Sequence, residues 1–252
     1  MANEVTTNVD GDVLIITINR PKARNALNAA AAAGIATAVD RLDEDDSLRA
    51  AVLTGAGGTF CSGMDLKAFL TGESPDVPGR GLAGITQARP RKPLIAAVEG
   101  YALAGGLEIA LACDMIVSGR SAKFGLPEVR RALVAAAGGV LILPQRIPMN
   151  VAMEMVLTGD PIDAARAYDL GLVNTVTDDG GALDVARDFA HRIARNGPLA
   201  VAASKYLVHA SQGWSDSERW AKQDGVNAPI FSSEDAREGA RAFAEKRDPV
   251  WS

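Results

Sequence analysis

LIAAVEGYALAGGLE, running from Leu94 to Glu108, decides how this chain folds. Leu94 to Val98 is a continuous apolar run of strand length, and Glu99-Gly100 ends it. Gly105 and Gly106 then open a helix predicted over Ala104 to Cys113. The start of a helix leaves free backbone N–H groups at a positive dipole end, and glycine lets a ligand approach that backbone closely. Such an end can stabilise an oxyanion. Glu108 lies one helical turn beyond Gly105, so its carboxylate can share the face on which a bound carbonyl would sit. Glu128 follows in Phe124-Gly125-Leu126-Pro127-Glu128. Taken singly, each acid also has a plain reading, Glu108 as a first-turn residue favouring the dipole and Glu128 as a helix-starting residue.

Working outward, Val5 to Val9 and Val13 to Ile18 flank Asp10-Gly11-Asp12 and read as a β-hairpin. Asn28 to Leu42 carries Ile35, Val39 and Leu42 at helical spacing, with Asn28 as the N-cap. Ala50 to Leu53 reads as a short buried strand, and Met115 to Val117 as another. Thr71 to Pro93 has no clear period and reads as a loop, either bordering a site or a plain surface excursion. Helices are predicted over Pro148 to Leu157, Pro161 to Leu170, Gly181 to Asn196, Pro198 to Ala210, Trp214 to Val226 and Ser233 to Lys246, with a last short strand at Val173 to Val176. This order gives an α/β, mixed α+β core over residues 1–190 and a helical module over 191–252.

Composition excludes several functions. At 252 residues and 48% hydrophobic, the chain can bury a core without staples. A formal charge of −5 is the wrong sign for a nucleic-acid or anionic-membrane binder. No apolar run reaches membrane-spanning length, and Met1-Ala2-Asn3-Glu4-Val5-Thr6-Thr7 has neither the basic nor the apolar part of a secretory leader, so the cytoplasm is expected. Cys61 and Cys113 suit reduced thiols rather than a disulfide framework. With only His191 and His209, a histidine metal site or a Ser-His-Asp mechanism has little material, and no metal is expected. Carboxylates become the proton carriers. Gly55-Ala56-Gly57-Gly58-Thr59-Phe60 lacks the third glycine of a dinucleotide fingerprint, no Gly-Lys-Ser/Thr follows, and a turn after a strand is the better reading.

Six segments in order resemble the crotonase, or enoyl-CoA hydratase/isomerase, superfamily. They are Asn19 to Leu27 (NRPKARNAL), Phe60 to Leu66 (FCSGMDL), Leu94 to Glu108, Ala112-Cys113-Asp114, Phe124 to Glu128 (FGLPE) and Ala242 to Arg247 (AFAEKR), and they cover nearly the whole chain. The resemblance implies a spiral of repeated ββα units with a C-terminal helical trimerisation module, assembling as a homotrimer or a dimer of trimers. Among hydratases of this family, the thioester oxygen is held by two backbone N–H groups, which fall here on Met64 and Gly105. The two catalytic glutamates match Glu108 and Glu128: Glu108 helps to activate a water, and Glu128 exchanges the proton at Cα of a trans-2-enoyl-CoA, giving the 3-hydroxyacyl-CoA. Coenzyme A would then run along Lys22, Ala23 and Arg24 and along Cys61, Ser62, Met64, Asp65, Leu66 and Lys67, with Phe243 and Lys246 of a neighbouring subunit closing over it. The side chain of Met64 would pack near the acyl chain. Coenzyme A arrives on the substrate, so no separate cofactor is implied, and the setting implied is fatty-acid and lipid metabolism.

Two departures stand out. The usual three glycines read Ala104-Gly105-Gly106, and the stretch that in many hydratases is Pro-Gly-Ala-Gly-Gly reads Ala135-Ala136-Ala137-Gly138-Gly139, which alters the pocket wall. Arg130 and Arg131 stand beside Glu128 in sequence, where exposed positions are the plain reading. Within the superfamily, isomerases, hydrolases, decarboxylases and dehalogenases use the same frame, and a non-catalytic acyl-CoA-binding or scaffold paralogue would keep the fold.

Overall fold

In the computed structural model, which describes residues 3–252, one structural phrase recurs. A strand of a large sheet is followed by a tight turn, a short extended stretch and a helix. The phrase begins with the hairpin β1 (Val5–Asp10) and β2 (Val13–Ile18), then a 3-10 turn at Pro21–Ala23, Leu27 and α1 (Ala29–Glu44). It repeats as β3 (Ala50–Gly55), the turn Ala56–Gly58, Cys61 and α2 (Leu66–Leu70). The polar segment that follows folds as a two-stranded ribbon of β4 (Asp76–Val77) and β5 (Gly81–Leu82). The third round is β6 (Leu94–Val98), β7 (Tyr101–Leu103) and α3 (Gly105–Ala112). The fourth is β8 (Met115–Gly119), β9 (Lys123–Gly125), a 3-10 turn at Pro127–Arg131 and α4 (Gly139–Arg146). Then come α5 (Met149–Thr158), β10 (Ile162–Asp163), α6 (Ala164–Asp169), β11 (Thr175–Thr177) and the helices α7 (Ala182–Ala194), α8 (Pro198–Ala210), α9 (Arg219–Phe231) and α10 (Glu234–Glu245).

The large sheet has the order β1-β2-β3-β6-β8-β11, with β1 antiparallel to β2 and the other neighbours parallel. The smaller sheet is β10-β9-β7, and single bridges from Cys61 to Ala102 and from Leu27 to Met64 continue its winding. Leu14, Ile16, Leu53, Ala96 and Val98 turn one face of the large sheet to the main core, where they meet Ile35, Val39 and Leu42 of α1 and Leu107 and Leu111 of α3. Each fully buried Leu, Ile or Val side chain there stabilises the fold by about 1.5–3 kcal/mol. Val13, Ile15, Val52, Ile95 and Val117 turn the opposite face to Ala182, Ala186 and Ala190 of α7. Both faces of the parallel strands are therefore covered, which is why their sequences read as unbroken apolar runs.

The expected spiral of ββα units is present, and several boundaries move. Asn28 caps α1 by accepting the Ala31 N–H. Pro161 precedes the strand β10, and α6 begins only at Ala164, capped by Asp163 through the Arg166 N–H at 2.9 Å. The helix expected from Trp214 starts at Arg219; before it, Ser215 closes a turn by donating its hydroxyl to Glu218 Oε2 at 2.6 Å. Thr71 to Pro93 carries the ribbon rather than a structureless loop. Residue 190, where the core was expected to end, lies inside α7, whose Ala194 is still buried. Glu99 at the end of β6 accepts the Ala182 N–H at 3.0 Å, tying the start of α7 to the spiral. Met1 and Ala2, which opened the stretch read for a leader, lie outside the described residues. Among the described residues no helix is long and apolar enough to cross a membrane.

Candidate active site

The site begins where the third round of the spiral crosses the second. Leu103 donates its N–H to Cys61 O at 3.1 Å, and an added Cβ at Gly106 would stand 2.1 Å from that same oxygen, so only glycine lets α3 start this close to the 61–64 loop. In the bridge between Leu27 and Met64, Leu27 N–H donates to Gly63 O at 2.8 Å and Asp65 N–H donates to Leu27 O at 2.8 Å. That parallel pattern steps over Met64 and turns its N–H away from Leu27. Gly105 is the first residue of α3, so its N–H has no acceptor within the helix. The ideal Cβ direction at Gly105 ends 3.6 Å from Met64 N, and that at Gly63 ends 3.3 Å from Gly105 N. The two N–H groups assigned from the resemblance are thus neighbours at one helix end.

Ala104, where a glycine is usual, sits at φ 51°, ψ −128°, a conformation that glycine adopts more readily than alanine. It keeps the turn through its N–H, which donates to Gly125 O at 2.9 Å. The departure from the three-glycine pattern therefore changes the side chain at this turn while the donor position stays in place.

Glu108 is 4% exposed, and its Oε1 accepts the Gly139 N–H at 2.9 Å. Burial pushes its pKa up; the backbone N–H groups of Gly139 and Ala137 oppose that push, and the charge of Asp76 adds to it. Glu128, in the 3-10 turn after β9, is half-buried with its Oε2 enclosed and without a hydrogen-bond partner. Burial raises its pKa from 4.5 to about 7, and the charge of Glu108 pushes the same way. A Cβ at Gly139 would stand 3.0 Å from Leu126 Cδ1 and 3.1 Å from Glu108 Oε1, so the Glu128 turn, Glu108 and the start of α4 converge. Reading the sequence misses this role of Gly139: the run Ala135 to Gly139 looks like a pocket wall, but its last residue holds the Glu108 carboxylate. The Gly138-Gly139 pair was the available signal, since Gly138 at φ 110° caps α4. Arg130 pairs with Asp160 and bonds Thr158 O, and Arg131 bonds Arg130 O, so both stay on the surface.

The residues expected along coenzyme A separate into two groups. Ser62 N–H donates to Arg24 O at 3.1 Å, which sets the Pro21–Ala23 turn against the 61–64 loop. Lys22 and Arg24 are exposed on that turn beside Ala23, and Leu66 and Lys67 are exposed at the start of α2. Two side chains face inward instead. Cys61 is fully buried, its thiol pushed up by burial to about 12. Asp65 caps α2 through the Lys67 and Ala68 N–H groups and pairs with Arg20 at 2.9 Å. What these two give the mouth of the site is the shape of its loop. Met64 is half-buried beside them. Phe243, 87% exposed, and Lys246, also exposed, project from the end of α10, which packs against α9. Elsewhere a cleft of about 790 Å³ opens between α4 and α8, lined by Arg89, Asp114, Arg146, Lys205 and His209, but neither glutamate lies in it. Convergent chemistry, rather than cavity size, marks the site.

A spiral of ββα units that gathers two enclosed carboxylates and a pair of neighbouring backbone N–H groups at a helix start defines a crotonase-fold enzyme. The family model described as enoyl-CoA hydratase/isomerase matches residues 8–252. The crystal structure of enoyl-CoA hydratase EchA1 from Mycobacterium marinum superposes with a TM-score of 0.97 at 57% identity, covering 99% of each chain. Enoyl-CoA hydratase EchA19 of Mycobacterium tuberculosis is 43% identical over 95% of this chain and 92% of its own length. Carnitinyl-CoA dehydratase of Proteus mirabilis is 42% identical over 100% of this chain and 99% of its own. The chain belongs to the enoyl-CoA hydratase/isomerase family.

Proposed function

We propose that the enzyme adds water across the double bond of a trans-2-enoyl-CoA to give the 3-hydroxyacyl-CoA. The observation that carries this reading is the division of labour between the acids: Glu108 is anchored by the Gly139 N–H, while the enclosed Oε2 of Glu128 has no partner. In the forward step Glu108 accepts a proton from water as the oxygen bonds to Cβ. The π electrons move toward the thioester, whose developing oxyanion lies against the Met64 and Gly105 N–H groups. Glu128 then delivers its proton to Cα, and a pKa of about 7 keeps a protonated share available at neutral pH. The same groups run the reverse elimination, so hydration and dehydration are one equilibrium. Only water and the thioester react, and coenzyme A is the handle, held at Lys22 to Arg24 and Cys61 to Lys67. Purified enzyme mixed with crotonyl-CoA should bleach the conjugated thioester absorbance. An unchanged spectrum, with longer 2-enoyl thioesters equally inert, would contradict hydration.

The same reading includes a homotrimer or a dimer of trimers built on the C-terminal helices, with Phe243 and Lys246 closing over a neighbour's coenzyme A. Its support is apolar exposure: α8 and α9 bury no residue within the chain, and Trp220, Phe231 and Phe243 are 67%, 80% and 87% exposed. Light scattering should report three or six chains, and a monomeric mass would contradict it.

A further inference from the structure

At its far end α3 meets two positive side chains that the proposed hydration does not use. Arg89 Nε donates to Ala112 O at 3.4 Å, and Arg146 Nη2 donates to Cys113 O at 3.3 Å, so two consecutive carbonyls draw the guanidiniums together. Both are half-buried on the wall of the cleft between α4 and α8. Capping a helix end explains part of this arrangement. The C-terminus of a helix carries about half a unit of negative charge, however, well short of the two positive charges gathered at it. Each guanidinium also has five N–H donors, and among the described residues each spends one.

Asp114 is the one acid on the cleft wall, and its oxygens are already engaged. Oδ2 accepts the Leu94 N–H at 2.8 Å and Lys205 Nζ at 2.7 Å, and Oδ1 meets His209 Nε2 at 3.2 Å. Among the described residues Arg89 and Arg146 are thus left without an ion-pair partner. Burial pushes the Arg89 pKa down, the charge of Arg146 pushes the same way, and that of Asp114 opposes them. Two like charges held together in a half-buried place favour an anion between them. The cleft has room for more than an ion: its volume of about 790 Å³ is that of a small-molecule site. Gln145, Ser204 and Gln212 add hydrogen-bonding groups to the wall, and Ile142, Val201 and Val208 add apolar surface.

We propose that this cleft is a second ligand site, which takes a phosphate monoester: Arg89 and Arg146 clamp the phosphate, and the organic body lies against Ile142, Val201 and Val208. A single phosphate brings about −1.5 to −2 charges and three acceptor oxygens to the same point, which matches two adjacent guanidiniums. A carboxylate brings half the charge. Neither Glu108 nor Glu128 lines the cleft, and Gly105 is at the opposite end of α3, so a ligand here does not compete with an acyl thioester at the acids.

Calorimetric titration of the assembled enzyme with hexyl phosphate tests this, with saturating butanoyl-CoA present to fill the thioester site and its own phosphate neighbours. One hexyl phosphate should bind per chain, about tenfold more tightly than hexanoate, and added salt should weaken it. Arg89→Gln and Arg146→Gln should each weaken it by about tenfold while leaving the affinity for butanoyl-CoA unchanged. Ser204→Glu is the variant that leaves the end of α3 untouched. It changes an exposed residue of α8 and offers the guanidiniums a carboxylate of the chain's own, so it should weaken hexyl phosphate by a similar factor. No binding once butanoyl-CoA is present, as when a neighbouring chain fills the cleft, would overturn the proposal. So would an affinity that survives both Arg89→Gln and Ser204→Glu, or hexanoate bound as tightly as hexyl phosphate. Inorganic phosphate bound as tightly as hexyl phosphate would overturn the monoester and leave the free ion as the ligand.

Discussion

Glu108→Gln and Glu128→Gln should each lower the rate of hydration by about 10² to 10⁴ while leaving acyl-CoA binding largely intact. Gln at 108 still offers an oxygen to the Gly139 N–H, so the side chain keeps its anchor and loses only its basicity. Gln at 128 keeps the shape of the turn and loses the proton proposed to reach Cα. Hydration at the wild-type rate by either variant would contradict the roles assigned.

The two acids also differ in how pH enters. With Glu128 as the proposed proton donor to Cα, hydration should fall as pH rises through about 7, where burial has placed this group. Stability moves in a related way. Between the ordinary carboxyl pKa of 4.5 and the folded value of about 7, the folded chain retains a proton that the unfolded chain has released. The folded state binds more protons there, so stability falls with rising pH across that window and is lowest above it. Glu128→Gln removes the effect. After allowance for screening at a half-buried group, the variant should be about 1–2 kcal/mol more stable than wild type at pH 8 and little different at pH 4. Urea denaturation at the two pH values measures this, and a variant less stable than wild type at pH 8 would contradict the burial of a charged Glu128. An inactive but stabilised protein is the expected signature of an acid held in an unfavourable place for its chemistry.

Gly63→Ala should be the most damaging change away from the acids. Gly63 has φ 103°, in the region that side chains resist, and its added Cβ would stand 2.7 Å from Ala104 Cβ and 3.3 Å from Gly105 N. Relief requires the 61–64 loop to move off α3, which separates the Met64 N–H from the Gly105 N–H. Losing one oxyanion donor costs about 10² to 10³ in kcat. Backbone strain and the clash should together cost about 2–3 kcal/mol of stability. Gly58→Ala is the matched control: φ is 74°, but no atom lies within 4 Å of its Cβ position. It should cost about 1–2 kcal/mol of stability and leave kcat unchanged. If Gly63→Ala turned over at the wild-type rate, the paired-donor geometry would be wrong.

The parts of the fold that could be read from the chain are those with repetition long enough to see. β2, β3, β6 and β8 carry five or six residues each and announce themselves as apolar runs. The second sheet was invisible, because Tyr101–Leu103 and Lys123–Gly125 have three residues each and no period can show in so few. Much the same holds at the site. Gly105 and Glu108 were legible because a glycine-opened helix after a buried strand has a physical reading of its own, which the family resemblance then sharpened. The bond from Gly139 to Glu108 spans 31 residues, and no local pattern records it.

Oxygen labelling tests the central claim most directly. Crotonyl-CoA turned over in H₂¹⁸O should give a product with one heavy oxygen at Cβ, and in D₂O one deuterium at Cα, with the thioester intact. A shifted double bond without labelled oxygen at Cβ, or heavy oxygen in a released carboxylate, would contradict hydration by Glu108 and Glu128 at this oxyanion hole.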